Sequence, residues 1–370
     1  MDFQKKIVRF LQNIPGFRTN RKLIVIESDD WGSIRMPSAN VYSKLLKEGF
    51  QVQKDPFLKY DSLASESDIT NLLEVLSDVR DKNDMQAKLT MNTIMTNPDF
   101  EKINQSDFQQ YHYELFTDTL SKYPEHKNSF NIWKQGMDNN LLRPQYHGRE
   151  HLNVDRWMMA LQKRDKNVLE AFNNEMISIS SEPSEMRFGY MEELDYFTNE
   201  EKAAKNNIVF DGLKLFEEVF GFKPLSFIGC CFVWDEEVEK ILSKNGVKYL
   251  QGVLVQNKPV IDSGTKYKYN LHYLGQSNDL SQKYLVRNAF FEPSVNPFDP
   301  VGKCMREIGM AFMLGKPAII SAHRLNFIGF IDPKNRDRNL RAFNKLLKSI
   351  ISKWPDAEFL FSDELGVILD

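Results

Sequence analysis

The strongest constraint on this chain is a recurring pair of signals: a short apolar run rich in β-branched residues, then an amphipathic stretch closed by glycine. Leu23, Ile24, Val25 and Ile26 form the first run, and the polar segment 27–32 (ESDDWG) ends it. Similar runs recur at 87–92, 224–229, 247–250, 284–288, 318–321 and 358–361. Runs this short and this apolar predict strands buried on both faces, as in a parallel sheet. Helices are predicted between them over 67–80, 209–220, 236–244 and 301–314, with Gly221, Gly246 and Gly315 as stops. Parallel strands need helical crossovers, so the fold class is α/β. The number of strand candidates suits a distorted (β/α)7–8 barrel. The chain reads as one domain over 1–370, with helical insertions at about 37–140 and 150–205.

Composition excludes several classes of protein. Lys and Arg number 48 against 51 Asp and Glu, a formal charge of −3, so bulk electrostatics does not hold nucleic acid. Hydrophobic residues make up 42% of the chain, too many for a disordered one. No segment approaches the ~18 consecutive apolar residues of a membrane span. Cys230, Cys231 and Cys304 form neither a disulfide framework nor a C-x-x-C motif, which fits a reducing compartment. With no secretory signal pattern at the N-terminus, a cytoplasmic location is expected.

In barrels of this kind chemistry sits at the C-terminal ends of the strands, and three polar motifs fall there. Asp29 and Asp30 follow the first strand; such a pair either caps a loop or needs a cation beside it. His147 and His151 are four apart. If helical, they share a face and can grip one divalent ion, but the protease pattern H-E-x-x-H is absent because Glu150 occupies the wrong position. His323 and Arg324 end the apolar run from Ala318, where a histidine either satisfies the core or moves a proton.

Taken in order, these motifs resemble the polysaccharide deacetylase (NodB-homology, carbohydrate esterase family 4) superfamily over residues 21 to 365. The resemblance implies that Asp30, His147 and His151 hold one divalent ion, zinc in most members. It implies Asp29 as general base toward the attacking water and His323 as general acid for the leaving group. Three protein ligands leave an open position on the ion, which activates water and polarises an acetyl carbonyl. The implied activity is removal of an N- or O-acetyl group from a carbohydrate, with a glycan or glycan precursor as the partner.

Two family motifs are missing. An arginine that orients the base is expected within 227–235 and is not there; Arg287, ending another strand, is the candidate substitute. The acidic motif that tunes the catalytic histidine has no counterpart after Gly252, and Glu292 or Asp235 is the candidate replacement. The chain holds 27 Phe, 13 Tyr and 5 Trp, and those flanking the motifs are candidate sugar-stacking surfaces. The candidate substrate-binding set is therefore Trp31, Tyr146, Trp234, Glu292 and Arg324. Two alternatives remain: a glycoside hydrolase pairing carboxylates among Glu27, Asp29, Glu193 and Glu292, or a catalytically impaired carbohydrate-binding relative.

Overall fold

The computed structural model describes residues 10–179, 189–261 and 266–370. Nine strands form its main sheet: β1 (Lys22–Trp31), β2 (Leu89–Ile94), β3 (Leu142–Gly148), β4 (Ser226–Phe227), β5 (Tyr249–Gly252), β6 (Lys283–Val286), β7 (Ala289–Phe290), β8 (Ala318–His323) and β9 (Ala357–Leu360). The order is β6-β5-β4-β3-β2-β1-β8-β7, all parallel, with β9 beside the first half of β1.

The two edges of this sheet are halves of one segment. Arg287 donates its backbone N–H to Gly252 on β5 (2.9 Å), and Asn288 donates to Ile319 on β8 (3.1 Å). Residues 283–290 therefore bind both neighbours, and the sheet curls into a distorted α/β barrel of the glycoside hydrolase/deacetylase type. Closure leaves no long edge exposed.

Side chains alternate along the staves. Ile24 and Ile26 of β1, Leu89 and Met91 of β2, and Ala318 and Ile320 of β8 face outward into the main core. There they meet α1 (Glu66–Ser77), α2 (Ser129–Asp138), α3 (Asn199–Phe220), α4 (Glu236–Lys244), α5 (Pro300–Met313) and α6 (Pro333–Lys353). These helices start and stop on local signals. Asp235 caps α4 by accepting from Glu237 and Val238, and Gly221 ends α3 with φ at 76°. The inward set is layered. Leu23, Val25, Tyr249, Leu285 and Ile319 fill the lower barrel with Leu365 and Leu369 of α7 (Ser362–Leu369). Above that plug the inward side chains include Glu27, Asp29, Asn92, Gln251 and Ser321.

The span 37–140 contains the central strand β2, so it comprises two βα steps with extra helices at Ala39–Lys47 and Pro56–Tyr60. The 150–205 span supplies helices Val154–Gln162 and Lys166–Asn173; residues 180–188 of it lie outside the described residues. The two spans pack on each other through Leu45, Leu58, Ala171 and Met176. Sequence reading missed β3 because Arg143, Pro144 and Gln145 interrupt its apolar pattern. Among the described residues, no helix is long and apolar enough to cross a membrane.

Ile319 is fully buried in the interior plug. Ile319→Ala is expected to cost about 2–5 kcal/mol in urea unfolding, with an unchanged m value.

Candidate active site

The polar layer begins with Arg287, which the break between β6 and β7 turns into the barrel. Its Nε donates to Glu27 Oε2 (2.6 Å), Nη1 to Asp29 Oδ2 (2.5 Å) and Nη2 to Asp29 Oδ1 (2.7 Å). Asn92 on β2 also donates to Asp29 Oδ1 (2.7 Å). Burial alone raises the proton affinity of Asp29, but the guanidinium outweighs it and holds the carboxyl down at about 2. Glu27, deeper and also bonded by Ser362, is displaced upward by burial in spite of the same arginine.

Strict alternation would turn Asp30 away from Asp29. Instead the β1–β2 register shifts between Ser28 and Trp31, and Asp30 takes φ of 72°. A left-handed non-glycine residue at a bulge stores strain, and here the bulge brings both carboxylates to the same cavity. Asp30 Oδ1 lies 3.4 Å from His147 Nε2 and 3.5 Å from His151 Nε2, while Arg35 donates to Oδ2 (3.2 Å). Burial opposes ionisation of Asp30, yet Arg35 and the histidines keep its carboxyl well below the usual range.

The expected helix across the two histidines is not formed. His147 ends β3, and His151 lies in the loop before helix Val154–Gln162, because Gly148 adopts φ of 132°, outside any helix. The imidazoles still converge. His147 Nδ1 donates to the Ile228 carbonyl (2.9 Å), which leaves its Nε2 facing Asp30. His151 is kept neutral, its pKa lowered to about 3 chiefly by burial, and its Nδ1 has no protein partner.

This donor set fits a divalent cation. One carboxylate and two imidazoles suit zinc, and ligand atoms bonded at ~2.1 Å to a tetrahedral ion stand about 3.4 Å apart. Cys230 Sγ also lies within 4.8 Å of a nitrogen of each histidine. Its thiol donates to the His147 carbonyl (3.2 Å), and burial holds it protonated, so Asp30 is the better third ligand.

His323 stands on the opposite wall. Its Nδ1 bonds Glu292 Oε1 (2.7 Å), and its Nε2 faces Asp29 Oδ2 at 4.0 Å. Burial disfavours the imidazolium, but Glu292, with Asp30 and Asp29, raises the pKa to about 10. Glu292 is itself held by Asn326 (2.7 Å). It therefore sits behind His323 and outside the cavity lining. Asp235 caps α4, bonds Tyr196 and pairs with Lys202 (2.8 Å).

Four of the residues expected at the substrate do not line the cavity. Trp31 is buried against Trp133 with Nε1 on Ser28, Tyr146 packs under α3 against Phe216, and Trp234 bonds Glu239. All three face the core because they fall on outward positions of the barrel or in its helical shell. Arg324 is fully buried in a bidentate pair with Asp61 (3.0 Å each). The aromatic rings at the cavity are Phe57, edge-on to His323 at 5.4 Å, and Phe232. Phe57 and Arg35 were not singled out in the sequence, since both follow the first strand at a distance with no motif around them.

Glu193 braces the histidine loop, accepting the backbone N–H groups of Arg149 (2.9 Å) and Glu150 (3.2 Å). A Cβ on Gly148 would come within 2.3 Å of Glu193 Oε2, so glycine is required there.

Residues 82–289, more than half of the chain, match the model of glycosyl hydrolase family 57. The chain belongs to glycosyl hydrolase family 57. Similar solved structures include an allantoinase (10% identity, 96% of this chain and 92% of that one, TM-score 0.46). They include a 4-alpha-glucanotransferase from Thermococcus litoralis (9%, 93% and 40%, TM-score 0.44). A family 4 carbohydrate esterase from Streptomyces lividans in complex with acetate is also similar (10%, 93% and 95%, TM-score 0.39). No curated protein matches the chain.

Two predictions follow from these contacts. Arg287→Met leaves Glu27 and Asp29 buried without a counter-charge and is expected to cost about 3–5 kcal/mol by denaturant unfolding. Burial and the neighbouring Glu150 push the Glu193 carboxyl up to about 8. The fold favours its protonated form, so its contribution is complete below the unfolded value of ~4.3 and is lost as pH rises through 8. In chelator, the thermal midpoint of Glu193→Gln should therefore decline less between pH 5 and 8 than that of the unaltered chain.

Proposed function

We propose that this chain is a metal-dependent hydrolase that removes an acyl group, acetyl in the simplest case, from the nitrogen or oxygen of a carbohydrate. The observation that carries this reading is the convergence of His147 Nε2 and His151 Nε2 on one oxygen of Asp30, at 3.4 and 3.5 Å, in the same cavity as Asp29 and His323. Asp30, His147 and His151 would hold the ion, zinc by its donor types. Once bound, it supplies a Lewis acid for the acyl carbonyl and lowers the pKa of water.

The remaining steps belong to side chains. Asp29, clamped by Arg287 and Asn92, keeps its Oδ2 edge toward His323, where it orients the attacking water and takes its proton as the new C–O bond forms. His323 carries a proton on Nε2 at neutral pH, because Glu292 occupies Nδ1 and stabilises the imidazolium. It passes that proton to the departing nitrogen or oxygen as the acyl bond breaks. The products are a carboxylic acid and a free amine or hydroxyl.

Family membership favours glycoside hydrolysis as the second reading. The carboxylates do not support it equally. Glu27 lies beneath Asp29 on the same arginine, Glu193 lies under the histidine loop, and Glu292 is engaged by His323. None of the three lines the cavity beside Asp29.

The purified chain is expected to hold about one equivalent of divalent metal by elemental analysis, and Asp30→Ala or His151→Ala to lose it. Chelation should abolish acetate release from acetylated sugars. Reducing ends appearing without metal dependence would instead establish the glycosidase. A protein without stoichiometric metal would remove the basis of the deacylase reading.

A further inference from the structure

The cavity over the proposed metal ligands has a volume of about 240 Å³. Away from the reactive groups its lining is mainly apolar, from Ile34, Phe57, Ile177, Met191 and Phe232, with Ser178 and Cys231 among them. The charged groups on that wall have protein partners. Asp55 accepts from the Phe57 N–H and caps helix Pro56–Tyr60, and Arg35 lies between Asp30 and Asp61. A buried sugar ring would need a partner for each hydroxyl it brings in, whereas a hydrocarbon chain needs none and gains from each methylene removed from water.

The cavity is built by the two packed spans that cover the barrel mouth. Asp55, Phe57 and Leu58 come from one, and Ile177, Ser178 and Met191 from the other. A hydrolytic centre at the floor of an apolar chamber differs from one in an open polar groove. From this lining we infer that the chamber takes the hydrocarbon part of an acyl group longer than acetyl, while the sugar stays at the mouth. The inference rests on the acyl-hydrolase reading and specifies its substrate class.

The product acids probe the chamber without knowledge of the sugar. Butanoate, hexanoate and octanoate are titrated calorimetrically into the chain as purified. The dissociation constant is expected to fall about fourfold per added methylene until the chamber is filled. Phe232 has a φ of 59°, which aspartate tolerates, so Phe232→Asp should flatten this series with little change in thermal midpoint. Phe57→Ala should also reduce the slope. Affinity independent of chain length, or a slope untouched by both substitutions, overturns the inference.

A parallel assay compares hydrolysis of N-acetyl- and N-hexanoyl-glucosamine. Preference for the hexanoyl compound supports the inference. Acetyl preference overturns it and leaves the hydrolase reading standing. A chain-length slope in binding, with neither compound cleaved under metal loading, supports the chamber's specificity and counts against the hydrolase reading alone.

Discussion

The site depends on one guanidinium enclosed in a barrel. Arg287 sits where a single segment changes partners from β5 to β8, so the backbone that closes the barrel also delivers the charge its interior needs. Burying a charge costs several kcal/mol, and only close, well-directed partners offset it. Arg287 has two carboxylates, and they do not share it equally. Asp29 takes two of its hydrogen bonds and is held ionised, while Glu27 takes one and is displaced toward its protonated form. One positive charge thereby divides two similar acids into an ionised carboxylate at the cavity and a more readily protonated one beneath it.

A second constraint is the alternation of side chains along each stave. It sends Ile24, Ile26, Leu89, Met91, Ala318 and Ile320 out to the helices, and it brings Leu23, Val25 and Ile319 inward below Asp29, Asn92 and His323. Asp30 departs from that rule through its positive φ, and the departure makes a paired site from two neighbouring residues. Gly148 does similar work for the histidines. It ends β3 in a conformation that allows Glu193 to brace the turn carrying His151. Strain at both positions is confined to the reactive end of the barrel, while the lower plug is unbroken apolar packing.

Much of this was legible in residue order. Strand β1 was visible from its apolar start, although it runs on to Trp31 because the polar residues after Ile26 find partners inside the barrel. The helix over 236–244 was bounded by its own caps. Strand β3 was hidden by Arg143 and Gln145, which the fold accommodates because Gln145 accepts from Leu225 and Ser226 and Arg143 pairs with Asp363 of α7. Aromatic residues near motifs misled for a related reason. Tyr146 adjoins His147 in sequence, but the neighbouring position on a strand faces the opposite way, and Trp31 is turned to the core by the bulge that brings Asp30 to the cavity.

The sequence by itself determined the β–α alternation, the α/β barrel, and the residue types available at the strand ends, because periodicity and capping are local properties of the chain. Only the tertiary structure decided that Asp30 and the two histidines converge, that Arg287 pairs with Asp29, and that Glu292 bonds His323. These relations join residues up to 258 positions apart. Barrel closure creates them, and no local pattern records which partners a closed sheet will bring together.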